Sequence, residues 1–376
     1  YPFENKQTFE HSFPGQYIAE YISQTRAWFY YMHVMATLLF DSNSFENCVT
    51  TGVILNDKGE KMSKSKMNYP DPWKIIDQYG VDALRYYLMT SVVMEAENLL
   101  FNEREIKEIY NKVINILWNV VTFYLMYASQ TSDFRLQTSE NVLDKWILAK
   151  LQLLVKEVTS GMDNYNTVKA GRPIKDFIDD LSTWYLRRSR DRFKGDDEQD
   201  KQAALATLRE VLLTLSKVMA PFTPFIAEKI YREVGGEKES VHLEDWPEAR
   251  DLTSNELQVL KDMGLGRQFI ELILATRAKA GIKVRQPVAA VYYNGDPARG
   301  VMPNDGFYSA FANKHIEDII KDEVNAKEIL VTKPTSEHYL FETGGVYEVA
   351  IDTHITPELK KEGLLSRSFW YRHYTR

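Results

Sequence analysis

From Asn102 to Glu233 the strand-like alternation disappears, and apolar residues recur at three- and four-residue steps. These amphipathic stretches run at 104–129, 141–165, 172–194, 200–219 and 222–234, with breaks at Gly161, at Lys194-Gly-Asp-Asp197 and at Pro221. A helical bundle with short polar connections is the packing such a segment allows. The flanks are mixed. Gln16 to Glu20 reads as extended, and a helical pattern then reaches Phe40, placing Ile22, Phe29, Met32, Ala36 and Leu39 on one buried face. Cys48 to Leu55 reads as one strand, with Gly52 inside it as a sign of close backbone approach, and Asn56-Asp-Lys-Gly59 as a turn. Strand, helix, strand in that order predicts a parallel pair joined by a crossover.

Residues 235–252 are linker-like, with Gly235-Gly236 and Pro247. Beyond them the pattern predicts helices at 254–280 and 306–321 and a helix beginning after Pro357. Strands are expected at Val288–Tyr293, Ile329–Thr332 and Val346–Asp352. The expected organisation is therefore α/β over 1–101, all-α over 102–250 and mixed α/β over 251–376.

With 44% apolar and 26% charged residues among 376, disorder is a poor description. The single cysteine, Cys48, excludes a disulfide framework and a multi-cysteine zinc site within this sequence, and fits a reducing compartment such as the cytoplasm. The longest nearly apolar run, Trp28 to Phe40, falls short of the roughly 20 residues a membrane helix needs. The first residues lack the regions of a signal peptide. They do not begin with Met, and the expectation is a piece of a longer chain. A net charge of -7 leaves nucleic-acid binding to local basic patches.

Three groups of residues carry chemistry. Lys61-Met-Ser-Lys-Ser65 places two lysines three apart in a polar loop after a strand, where both can reach one polyphosphate. A solvated basic loop is the plain alternative. Glu20, Gln24 and Trp28 stand at four-residue steps, so a carboxylate and an amide for an ammonium group can face an indole wall. Helix-surface Glu and Gln with a buried Trp is the alternative there. Finally, Phe177 to Arg192 gathers Trp184, Tyr185, Arg187, Arg188, Arg190 and Arg192 in one helix. Arginines neutralise phosphate, and aromatic rings stack on unpaired bases. Pairing of these arginines with Asp176, Asp179, Asp180 and Asp191 is the alternative.

At these residues the chain resembles the class I aminoacyl-tRNA synthetases, and among them the isoleucyl-tRNA synthetases. Lys61–Ser65 is similar to the KMSKS signature, and Glu20 to Tyr30 resembles the EGxDQTRGWFY segment. Asn68-Tyr-Pro-Asp-Pro72 with Gly80 to Tyr87 resembles the stretch after KMSKS. Phe177–Phe193 and Ala220-Pro-Phe-Thr-Pro-Phe225 resemble motifs of the anticodon-binding domain, and Lys283–Pro287 and Thr356–Gly363 the later domain. Tyr21, Ser23 and Ala27 depart from the family's Gly, Asp and Gly. Valyl- and leucyl-tRNA synthetases are the nearest confusions.

The resemblance implies the second half of a Rossmann-like catalytic fold with its KMSKS stem, a helical-bundle anticodon-binding domain and a small C-terminal α/β domain. It implies ATP-dependent activation of L-isoleucine and transfer to tRNA(Ile). Lys61 and Lys64 would serve as catalytic cations, and Glu20, Ser23, Gln24, Gly52, Val53, Ile54 and Lys64 as ATP or adenylate contacts. Gln24 and Trp28 would form the amino-acid pocket, and Trp184 with Arg187, Arg188, Arg190 and Arg192 the tRNA contact. ATP would arrive with Mg2+; no zinc, no membrane and no obligate protein partner are expected. The HIGH motif does not occur in this sequence, so the chain by itself is expected to be catalytically incomplete. A non-catalytic tRNA-binding module is the competing function.

Overall fold

The computed structural model describes residues 3–63, 65, 67–128, 139–295, 313–330, 333–344 and 347–374. It divides into two compact units, Tyr1–Asp251 and Leu252–Arg376.

In the first unit, helix α1 (Lys6–Ser12) precedes β1 (Gly15–Tyr21), and helix α2 (Trp28–Phe40) crosses over to β2 (Phe45–Thr51). The two strands are parallel, with Gly15 opposite Phe45 and Tyr21 opposite Thr51, as the strand–helix–strand order requires. The helix expected from Ile22 is corrected. Ile22–Arg26 form a 3-10 turn, and Ala27 interrupts it at φ -137° and ψ -105°. Gln24 supplies the reason. Its carbonyl is taken by the Ala27 N–H at 3.1 Å, while its side-chain Oε1 accepts the Trp28 N–H at 3.1 Å and starts α2 afresh. Phe29 and Ala36 are buried as expected, but Ile22 and Leu39 are exposed, as are Trp28, Tyr30, Tyr31, Met35 and Leu38.

The single strand expected from Cys48 to Leu55 is two strands. β2 ends at Thr51, and β3 (Ile54–Leu55) pairs in parallel with β4 (Leu99–Leu100). The change of partner occurs at Gly52, whose N–H donates to the Val93 carbonyl at 2.7 Å. A Cβ there would sit 1.8 Å from the Glu97 carbonyl oxygen, so the glycine does mark a close approach, to this chain's own backbone.

Helices α3 (Pro72–Tyr79) and α4 (Val81–Met89) lead into the bundle. There α5 (Glu103–Ile109) continues through a wider turn, Tyr110–Asn115, into α6 (Ile116–Ala128). After α7 (Val142–Asp163), α8 (Thr167–Asp179) continues through Asp180–Leu186 into α9 (Arg187–Lys194). α10 (Glu198–Met219) and α11 (Pro224–Val234) complete it. The break expected at Lys194–Asp197 is a helix cap, whereas the one expected at Gly161 is corrected, since α7 runs through it; Asn102, Asn141, Asn166 and Asp197 each accept a first-turn N–H. Val113, Leu117, Ile147, Ile178, Leu208 and Leu212 are fully buried, each contributing about 1.5–3 kcal/mol of transfer free energy. At Gly161 the backbone of α7 meets α8 so closely that a Cβ would lie 2.7 Å from Ala170.

α4 is fastened to the bundle by its side chains. The Tyr86 hydroxyl donates to the Gly171 carbonyl at 2.7 Å, and Arg85 donates to the Pro221 carbonyl at 3.0 Å. Buried Asp82 accepts the N–H groups of Ile226 (2.7 Å) and Phe225 (3.4 Å) in the first turn of α11.

The second unit opens with α12 (Ser254–Lys279), started by a capping box of Thr253 and Glu256. β5 (Val288–Gly295), α13 (Lys314–Val324), β6 (Ala326–Leu330), β7 (Tyr339–Gly344), β8 (Tyr347–Asp352) and α14 (Pro357–Tyr374) follow. The sheet runs β6-β5-β8-β7, with β5 parallel to β6 and the other pairs antiparallel. α12 covers β7 and β8 and packs on α13, burying Ile273, Ile316, Ile320, Val291 and Val349. The helix expected at 306–321 begins at Lys314 among the described residues, and 306–312 lie outside them. Positions 331–332 and 346 of the expected strands also lie outside. β4 and β7 were not expected at all.

Candidate active site and nucleic-acid interface

The signature loop hangs from two asparagines. Asn56, buried at the end of β3, accepts the N–H groups of Lys58 (3.0 Å) and Glu60 (2.8 Å) on its side chain, and its Nδ2 donates to Glu60 at 3.2 Å. Gly59 turns the chain at φ 78°, in the left-handed region that favours glycine. Lys61 then bridges back to Leu55. On the far side, Asn68 Oδ1 accepts the Ser63 N–H at 2.9 Å, and its Nδ2 donates to the Lys61 carbonyl at 3.2 Å. Ser63 and Ser65 hydroxyls lie 3.1 Å apart. Lys64 lies outside the described residues. A cleft of about 850 Å3 opens beside the loop, lined by Asn56, Lys58, Met62, Tyr69, Phe101 and Lys107 among others.

The Lys61 ammonium reaches the carboxyl end of β1, where it stands 3.5 Å from the Tyr21 hydroxyl and 5.1 Å from the centre of its ring. Glu20 turns back on its own strand and accepts the Tyr21 N–H at 3.0 Å. Gln24 and Trp28 are joined directly by the helix-starting bond, and half-exposed Trp28 lies 5.8 Å from the Phe29 ring. Ser23 is half-buried in the 3-10 turn. Gly52 and Val53 have backbone groups committed within the chain: the Val53 carbonyl accepts the Leu99 N–H at 2.9 Å, and Ile54 belongs to the β3–β4 ladder.

On α9 the arginines separate into two kinds. Arg187 and Arg190 are exposed, and Arg187 lies 5.9 Å above the half-buried Trp184 ring while donating to the Thr183 carbonyl at 2.6 Å. Arg188 is half-buried. Arg192 corrects the expected stripe. It grips fully buried Asp144 with two hydrogen bonds of 2.8 Å and also bonds Asp200 at 2.7–3.0 Å. Asp144 further accepts from Ser139 (2.5 Å) and Tyr185 (2.9 Å). Burial alone would lower the guanidinium's pKa, but the two carboxylates more than reverse that and raise it. Burial first, and Asp144 second, push the Tyr185 phenol well above its ordinary range. The partners of Arg192 are none of the four aspartates foreseen, Asp176, Asp179, Asp180 and Asp191, because the inward face of α9 looks at α7 and α10.

Sequence reasoning missed the two loop-holding asparagines, Asp144 and Asp82. An Asn directly after an apolar run and before a glycine is a signal for the first. Asp144 reads from sequence as an ordinary acid in a helix's first turn, and nothing local links it to Arg192.

Comparison with known proteins adds to this geometry. Residues 1–100 match the family model for class I tRNA synthetases (I, L, M and V), and residues 144–293 match the anticodon-binding domain of tRNA ligase. A protein named isoleucine--tRNA ligase from Clostridium novyi is 40% identical over 352 residues, which cover 91% of this chain and 32% of the relative. Its namesake in Thermus thermophilus is 39% identical over 348 residues, covering 90% and 32%. That of Clostridium acetobutylicum is 38% identical over 375 residues, covering 96% and 35%. The chain thus spans about a third of the length of the curated relatives it matches. Two solved structures share the fold at 21% identity and a TM-score of 0.50. One is a LeuRS–tRNA–LeuAMS ternary complex from Agrobacterium radiobacter, covering 63% of this chain and 29% of that one. The other is Mycobacterium tuberculosis methionyl-tRNA synthetase with methionyl-adenylate, covering 61% and 46%. Among the described residues no helix is long and apolar enough to cross a membrane. With its loop and its bundle, the chain is a homologue of isoleucine--tRNA ligases along most of its length, carrying a class I tRNA synthetase segment and a tRNA-ligase anticodon-binding domain.

Proposed function

We propose that this chain is the part of an isoleucine--tRNA ligase that meets the phosphates of ATP and the anticodon arm of tRNA(Ile). The reaction joins the carboxylate of L-isoleucine to the α-phosphorus of ATP with release of pyrophosphate, and a tRNA hydroxyl then takes the acyl group as the acyl–phosphate bond breaks and AMP leaves. No protein nucleophile is required; positioning and charge stabilisation carry the step. ATP would arrive with Mg2+. Lys61, with Lys64, would stabilise charge developing on the pyrophosphate. Gln24 and Trp28 would bound the isoleucine, while Glu20, Ser23 and the 52–54 segment would border the adenylate. Arg187, Arg190 and Trp184, with Arg188 beside them, would meet the RNA. Arg192 has no part in it, since its guanidinium is committed to Asp144 and Asp200. A cytoplasmic location accords with a single, unpaired Cys48.

The observation that carries this reading is the place of Lys61. Its backbone is fixed on both sides, and its ammonium stands at the carboxyl end of a parallel strand, where open α/β sheets take ligands. The domains are proposed as 1–101 catalytic, 102–250 anticodon-binding and 251–376 C-terminal. Isoleucine-dependent exchange between ATP and pyrophosphate, measured on the complete ligase, tests the reading. Lys61→Ala should lower the activation rate far more than it weakens isoleucine binding. An unchanged rate would return the loop to a solvated surface. The competing reading, a tRNA-binding module without catalysis, draws on the exposed Arg187 and Arg190 and would hold if tRNA bound but the complete protein gave no exchange.

A further inference from the structure

We propose that Tyr21 is a positioning residue whose ring retains the Lys61 ammonium and so sets where that cation waits before nucleotide arrives. Both backbones are anchored. Tyr21 is the last residue of β1, in register with Thr51, and its N–H is held by Glu20. Lys61 is bridged to Leu55, and its carbonyl is held by Asn68. Between two fixed backbones the side chains decide where the Lys61 ammonium rests.

Lys61 has chosen an aromatic partner over the acids beside it. Glu20 faces the Tyr21 N–H, and Glu60 faces Asn56. At 3.5 Å the phenol oxygen is at the outer limit of a hydrogen bond, whereas 5.1 Å to the ring centre is well inside cation–π range. The ring, more than the hydroxyl, does the holding. A cation bound in this way is pre-placed over the end of the strand yet easily released, since an exposed cation–π contact biases an equilibrium by only about two- to fivefold. An incoming polyphosphate outbids it without a large barrier.

The proposal deepens the reading above by adding a residue that positions the Lys61 ammonium, and its test needs no ATP, isoleucine or tRNA. Failure here therefore leaves the adenylate reading standing, and loss of exchange leaves this one standing. Limited trypsin digestion of the 376-residue chain reads it directly. The protease must draw the Lys61 ammonium into its own carboxylate pocket, so whatever retains that ammonium slows cleavage after Lys61. Cleavage after Lys58, in the turn held by Asn56, is the internal reference. Tyr21→Ala should speed cleavage after Lys61 about two- to fivefold relative to Lys58, with melting unchanged, and Tyr21→Phe should restore the slow rate. Equal rates in all three proteins would overturn the proposal. So would Phe behaving as Ala, or a rise at every site with a lower melting temperature, which would make Tyr21 a packing residue.

Discussion

Replacing Arg192 with alanine should damage the fold of the bundle, with its effect on RNA secondary to that. Its side chain is only 11% exposed, and the carboxylate it grips belongs to Asp144, whose side chain is 0% exposed. Asp144 accepts from four donors, two of them on Arg192. Among the described residues, truncation leaves the buried carboxylate with Ser139 and Tyr185 as donors and removes the link to Asp200 on α10. Breaking a buried pair from one side costs about 3–5 kcal/mol, because the remaining charge stays out of water. In a domain of this size each kcal/mol moves Tm by about 2–4 °C, so the transition of the first unit should fall by roughly 6–20 °C. Urea titration followed by far-ultraviolet dichroism measures the loss, and the C-terminal unit, observed in the same scan, serves as reference. Adding Asp144→Asn to Arg192→Ala should recover part of the loss, because the orphaned charge is gone. A single variant within about 0.5 kcal/mol of the parent would refute the reasoning and place Arg192 back on the surface with its neighbours.

Asp82 should give the first unit a pH dependence of opposite sign to a surface ion pair. Burial pushes its carboxyl up, and the N–H bonds from Ile226 and Phe225 and the nearby Arg85 only partly oppose that. The folded state then holds the proton more tightly than the unfolded one, so this group's contribution rises as pH falls from its raised pKa toward the ordinary aspartate value of about 4. Comparing Tm of the parent with Asp82→Asn at pH 7 and near pH 4 should show the difference shifting in the parent's favour; a constant difference would contradict the assignment. Gly52→Ala should destabilise the first unit by about 1–3 kcal/mol or more, since the new methyl meets the Glu97 carbonyl and a backbone cannot swing aside; an unchanged melting curve would show that this contact is not made in solution. In filter-binding titrations with tRNA, Arg187→Ala with Arg190→Ala should reduce the slope of log affinity against log salt by about 1.5 units while Tm holds; an unchanged slope would remove these two arginines from the interface.

The bundle was readable because helical periodicity is a local property and Asn141, Asn166 and Asp197 cap helices where the sequence pattern pauses; the break expected at Gly161 was not one, since α7 continues through it. The parallel pairing of β1 and β2 was readable from element order. What escaped was set by groups distant in sequence or by a single side chain. Gln24 ends one helical turn and starts another, which periodicity alone cannot register. The strand-like run from Cys48 to Leu55 hides a change of partner, because both halves are equally strand-like and the new neighbour, Leu99–Leu100, is very short. β7 could have been found from the alternating run ending at Gly344-Gly345, a hairpin signal between two strands. For the candidate site, the loop itself was plain in the letters Lys61–Ser65, whereas its suspension from Asn56 and Asn68 required coordinates. Arginines 187 to 192 look equivalent in sequence; only three-dimensional packing turns one of them inward.

The fastening of α4 has a mechanical consequence. Asp82 at its start reaches α11, Arg85 in the middle reaches Pro221, Tyr86 reaches Gly171 on α8, and just beyond its end Thr90 receives Arg172 at 3.1 Å. Four rivets along one short rod leave it little freedom to pivot against the bundle. α3 alone stands between that rod and the signature loop, so the loop's downstream root is tied to the bundle's own frame. Strain applied to the bundle by a bulky ligand would arrive at that root as displacement of a stiff strut, with no soft joint at α4 to absorb it.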